Sequence, residues 1–207
     1  MDRPSLLRRA LALSVISIVL NGVLGGIAVV VGLATDSVSL LGFGLDAAID
    51  SIASIVLVWR FRTEVREPHR AERIERIAER AVGVVLIGVA VYLALSATNA
   101  LVNGVHPEAS PVRAILLLIA VVALPPLALA KYRTARDLGS GALRADSILT
   151  GIAALLALIG LVSLVLDEAA GIPWADAVGA LVIAVIVARE GWASVRAAST
   201  HQPLSTG

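Results

Sequence analysis

Long apolar runs alternate with short polar segments along the whole chain. Six runs can be drawn: Leu11–Leu33, Val38–Trp59, Ala81–Val102, Val112–Ala130, Ile148–Leu166 and Trp174–Ala188, the last continuing toward Trp192. A helix of about 20 apolar residues, rising 1.5 Å per residue, spans a hydrocarbon core roughly 30 Å thick. The runs are continuous and lack the alternation that barrel strands require. The pattern therefore predicts an all-α membrane protein with six transmembrane helices. The first run follows Arg8 and Arg9 as a secretory signal would. It is too long for a signal and has no small-x-small cleavage site, so a retained helix is expected. Residues 11–192 read as one transmembrane domain, with a cytoplasmic N-terminus at 1–10 and a short cytoplasmic tail at 193–207.

Charge gives the runs an orientation. Arg3, Arg8 and Arg9, the segment from Arg60 to Arg80, "KYRTARDLGSGALR", and Arg189 with Arg196 all fall on one side of a six-span chain. The opposite connections, "ATDSVS", "NGVHPEASPVR" and "DEAAGIPWAD", hold a single basic residue, Arg113. The positive-inside rule then places both termini in the cytoplasm, as an even number of spans requires. Within the basic segment, Ala71–Arg80 reads as a helical extension of the third span. It is either a solvated charged helix or a contact for lipid headgroups or a partner.

Composition narrows the function. Of 207 residues 58% are hydrophobic, and mean hydropathy is +0.90. The chain has no cysteine, which excludes disulfides and thiolate metal sites. It has no glycine-rich phosphate loop and no Ser/His/Asp arrangement, so no enzyme and no nucleic-acid partner is expected. The glycines of "GVLGG" and "GFG" are expected at close helix contacts.

The apolar pattern is broken inside the second run, at Asp46 and Asp50. Four residues apart, these carboxylates share one helical face, with Asp50 ten residues from Arg60. Their side chains are too short to reach the interface. A carboxylate pair at that depth must share a cation, pair with a base or take up protons. No Lys, Arg or His is expected at comparable depth, so a cation or protons should supply the compensation. A protonated pair bonded to neighbouring helices is the bland alternative.

"SVSLLGFGLDAAIDSIASIVLVWR" resembles the second span of the cation diffusion facilitator (cation efflux) family, which carries a DxxxD or HxxxD metal half-site. "GSGALRADS" is similar to the entrance of that family's fifth span, and "PWADAVGALVIAVIVAREGW" to its sixth. The resemblance implies a six-span homodimer in the lipid bilayer that exports divalent cations in exchange for protons. Zinc, manganese, iron and cobalt are not distinguished, and no other cofactor is implied. In a bacterium the membrane would be the cytoplasmic one. It also implies two departures. The family usually adds a cytoplasmic metal-binding domain after the sixth span, so this chain reads as a short form. The family's second half-site falls at Leu149 and Ala153, which cannot ligate. The alternative function is a transport-inactive homologue serving as a subunit of a complete transporter in a heteromer.

Other oxygen donors are candidates to complete the site. Asp146 is either a ligand at the cytoplasmic entrance or a carboxylate stabilised by a helix N-terminus. Thr150 lies one turn deeper on the same face, and Asn21 stands mid-span in the first helix; packing and interhelical hydrogen bonds are their ordinary roles. "LDAAIDSIASI" and "ADSILTGIAAL" echo one another, setting Asp146 against Asp46 and Thr150 against Asp50 as an inverted repeat would. Asn99 and Asn103 are expected at the outer end of the third span. His69, His106 and His201 fall in loops or the tail, so the oxygen donors suit harder cations more than zinc. Asp36, Asp167, Glu168 and Asp176 form an acidic outer rim, solvated or cation-attracting.

Overall fold

The computed structural model describes residues 3–104, 110–170 and 174–200. They form six helices: α1 (Arg3–Thr35), α2 (Val38–Arg66), α3 (Ala71–Asn103), α4 (Pro111–Leu138), α5 (Gly141–Ala170) and α6 (Ala175–Thr200). A single 3-10 turn, Pro68–Arg70, joins α2 to α3, and there is no strand among the described residues. Each helix contains a stretch long and apolar enough to cross a membrane. The protein is an integral, multi-pass, all-α membrane protein.

The helices outrun the apolar runs at the arginine-rich end. α1 already begins at Arg3, α2 continues to Arg66, α4 to Leu138 and α6 to Thr200. Charged residues do not end a helix; backbone signals do. Gly139 (φ 66°) and Gly104 (φ 63°) close α4 and α3 in the left-handed conformation that glycine adopts without a Cβ penalty. Ser37 caps α2 by accepting from the Leu40 N–H at 3.4 Å. Pro125 and Pro126 lie inside α4 without ending it. Each lacks an N–H, so the carbonyls of Val121 and Val122 lose their helical donors.

Apolar side chains point outward as well as inward. Val19, Val23, Val30, Leu95, Val122 and Val185 are exposed, whereas Ser14, Ser17, Asn21, Asp50, Ser54, Lys131, Asp146 and Thr150 are buried. Lipid solvates the former and other helices must satisfy the latter. α1 packs mainly on α2, α3 on α6 and α4 on α5. Glycine permits the first two approaches. A Cβ on Gly25 would stand 2.7 Å from that of Ala47, and one on Gly191 would stand 3.0 Å from the Gly83 carbonyl oxygen. Gly22 and Gly26 have open space instead, so only part of "GVLGG" serves close packing.

A buried ionic knot closes the arginine-rich end. Arg60 pairs with Glu64 one turn on, at 2.9 Å, and with Glu75 of α3. Its guanidinium lies over the Phe61 ring, 4.3 Å from the centroid. Arg3 reaches Glu64 at 2.6 Å, and Glu75 also accepts from the Ser140 hydroxyl and the Ala142 N–H at the start of α5, both at 2.9 Å. Glu75 thus corrects the reading of Ala71–Arg80 as a merely solvated charged helix.

Candidate functional site

α2 presents Asp46, Asp50 and Ser54 at four-residue intervals, and therefore along one face. Asp50 is buried and Asp46 half-buried. A cavity of about 790 Å³ runs from helix ends marked by Leu101, Arg113 and Trp174 down to Asn21, Asp46 and Asp50. The Asn21 side chain lies beside Asp50, and its amide nitrogen has no protein partner of good geometry. Neither Asp46 nor Asp50 has an ion-pair partner among the described residues.

One turn below Asp50 the sequence-based expectation fails. Lys131 of α4 is wholly buried and pairs with Asp146 at 2.6 Å. Its ammonium donates to Ser17 at 2.7 Å and to Thr150 at 3.0 Å, with Ser54 at 3.4 Å. Ser54 in turn donates to the second oxygen of Asp146 at 3.2 Å. A base does stand at depth, against the expectation that none would. Asp146 is neither an open carboxylate at the entrance nor a solvated helix-terminal one: it is 1% exposed and neutralised by Lys131.

Polar groups continue along the same track. Ser14 and Ser17 precede Asn21 on one face of α1, and Thr134 lies one turn beyond Lys131 on α4. All are buried, and the Ser14 hydroxyl has no hydrogen-bond partner. Buried polar groups are expensive unless satisfied, and here Ser17 accepts from Lys131 while Thr134 donates to the Ala130 carbonyl at 2.8 Å.

These features fit a family. A model described as the cation efflux transmembrane domain matches residues 14–200. The chain belongs to the cation efflux family. Its members are transporters of metal cations across membranes, not enzymes, and this chain carries their transmembrane domain over nearly its whole length. Within this cation efflux domain Leu149 and Ala153 line the cavity that Asp46 and Asp50 line. The positions that the resemblance assigns to a second half-site thus face the first, but carry aliphatic groups. Among the described residues no group of three or more His, Asp or Glu side chains is disposed to hold a metal ion. The donors that α1 and α2 offer are two carboxylates and one amide, all hard oxygen ligands except the amide nitrogen.

The outer residues separate similarly. Arg113, expected in a loop, is 7% exposed in the first turn of α4 and faces Asp176 at 3.5 Å. Asp176 is therefore matched and is not a free member of an acidic rim. Asp36 and Asp167 are exposed, as is His69. Asn103 donates to Asn99 at 2.6 Å on the exposed end of α3. His106, His201 and the Glu168 side chain lie outside the described residues.

The sequence held one signal for Lys131. Gly139 is a helix stop, which sets Lys131 two turns inside α4 with Thr134, Ala135 and Leu138 at the offsets of a single face. All four are buried.

Proposed function

We propose that the protein is a secondary transporter of divalent metal cations, with Asp46 and Asp50 as the cation site and protons as the exchanged ion. The observation that carries this reading is the cavity that reaches a buried and a half-buried carboxylate, neither with an ion-pair partner among the described residues. A divalent cation would balance both charges, and protons would replace it after release, sparing the cost of bare carboxylates in a low-dielectric bundle. Asn21 supplies a neutral donor from α1 that holds the cation against α2. Asp146 and Thr150 remain as ligands only for a state in which Lys131 has let them go.

The direction is efflux, with both termini cytoplasmic, the cavity facing outward and the Lys131 and Arg60 clusters closing the inner side. Alternating access would open that side and shut the cavity, which requires breaking one or both clusters. Assembly as a homodimer follows the family resemblance.

A second reading, a transport-inactive subunit of a complete transporter, draws on Leu149, Ala153 and the occupied Asp146. Flux from reconstituted homogeneous protein separates the two. Proteoliposomes tested with zinc, manganese, cobalt, iron and magnesium, with a pH-sensitive dye inside, should show cation flux with opposing proton movement. Asp50→Asn keeps the side chain's shape but removes its charge, and should abolish both fluxes with unchanged or raised thermal stability. No flux of any cation from the unmodified protein would favour the subunit. A destabilised Asp50→Asn protein that still transports would remove Asp50 from the site.

A further inference from the structure

We propose that Lys131 is a tethered cation that takes the place of the second half-site and sets the strength with which the first holds its cargo. The inference rests on the assignment of Asp46 and Asp50 as the transport site. Three helices surround the Lys131 ammonium with oxygen: Ser17 from α1, Ser54 from α2, and Thr150 and Asp146 from α5, while α4 carries the lysine itself. That is a cation cage whose occupant is covalently attached. Ser54 lies one turn from Asp50 on α2, so the ammonium is a near neighbour of the cargo position.

Charge balance gives the cage its consequence. Asp46, Asp50 and Asp146 supply three carboxylates, and Lys131 neutralises one. The remaining two match one divalent cation and no more. A fixed positive charge one turn away also repels that cation, which keeps binding weak enough for release into either compartment. The same ammonium holds Asp146 out of the coordination sphere. A site with Asp146 free would bind more tightly and release more slowly, a poor exchange for a transporter.

A purely structural staple between α4 and α5 makes a different forecast, because it ties Lys131 to stability and not to affinity. The full chain in detergent, titrated calorimetrically with cobalt and with manganese and melted in parallel, separates the two. Lys131→Gln should bind roughly tenfold more tightly or better, since a repelling unit charge is gone and Asp146 is released. Asp146→Asn should bind more weakly than the unmodified protein, because the unpaired ammonium turns toward Asp50. The double variant, Lys131→Gln with Asp146→Asn, restores the balance and should return to within about threefold of the original affinity. Unchanged affinity in folded Lys131→Gln overturns the proposal in favour of the staple. If Lys131→Gln does not fold, Asp146→Asn decides, and binding as tight as the original overturns it. Asp50→Asn is the control for the underlying site. If it binds as the original does, both the site and this inference fall. If it abolishes binding while Lys131→Gln changes nothing, this inference alone falls.

Discussion

Asp50 and Asp146 are both buried aspartates in membrane-spanning helices, yet their neutral variants should behave oppositely. Asp146 answers a wholly buried ammonium, and Asp146→Asn takes away the carboxylate that directly neutralises it. Removing one member of a buried pair costs about 3–5 kcal/mol, so Asp146→Asn should melt well below the unmodified protein. Asp50 has no such partner, and Asp50→Asn should melt no lower. Equal melting temperatures for the two variants would contradict the pairing. The difference was only half legible in the sequence. Carboxylates inside an apolar run stand out, because no lipid-facing role accommodates them. Lys131 has only its spacing from Gly139 to mark it, since it follows an apolar run and precedes arginines, where a basic residue normally marks the membrane edge. Its burial depends on α4 running on to Leu138 and on α1, α2 and α5 all turning oxygen toward it. That convergence is tertiary and no local pattern encodes it. The Ser17 and Asn21 spacing is helical, but serines on an apolar helix are too common to signal a buried polar cluster.

At the scale of elements, the Arg60 knot fixes α1, α2, α3 and α5 at one end of the bundle. Arg60 is 3% exposed and faces two carboxylates, whereas the Arg3 side chain that also reaches Glu64 is 59% exposed. Arg60→Gln leaves Glu64 and Glu75 without their buried counter-charge and should cost about 3–5 kcal/mol in denaturant unfolding. Arg3→Gln should cost less than about 1 kcal/mol, as an exposed ion pair does. A larger loss from Arg3→Gln than from Arg60→Gln would refute this ordering. The six helices themselves were legible, because runs of this length and hydropathy have no other stable form in lipid. Their inner ends were legible only in part. The extension of α3 back to Ala71 was legible from its helix-forming charged residues, but Arg60 to Arg66 and Lys131 to Leu138 look like loops by charge, while α2 and α4 run on through them to stops at Pro68 and Gly139.

For the whole molecule, the decisive asymmetry is that the arginine-rich segments gather at one end. Arg3 touches Glu64 and Arg60 touches Glu75, while Glu75 receives Ser140, so the start of α1, the α2–α3 connection and the α4–α5 turn are neighbours in space. At the other end the cavity is flanked by Arg113 and Asp176, a pair that cancels. Basic segments resist translocation, so the gathered end should face the cytoplasm and the cavity the outside. The absence of any native cysteine makes this directly measurable. Arg70 and Thr35 are exposed at opposite ends of α2, and Ser96 is an exposed residue lining the cavity. In intact cells, a membrane-impermeant maleimide should label Thr35→Cys and Ser96→Cys but reach Arg70→Cys only after the membrane is opened. Loss of the Arg70 charge removes an exposed contact with Glu67 at 3.0 Å, worth little to the fold, so the variant reports topology and not damage. Labelling of Arg70→Cys from outside would invert the orientation and turn the same cavity into an inward-facing one. Cation flux would then begin at Asp46 from the cytoplasm, and the Arg60 and Lys131 clusters would become the outer closure.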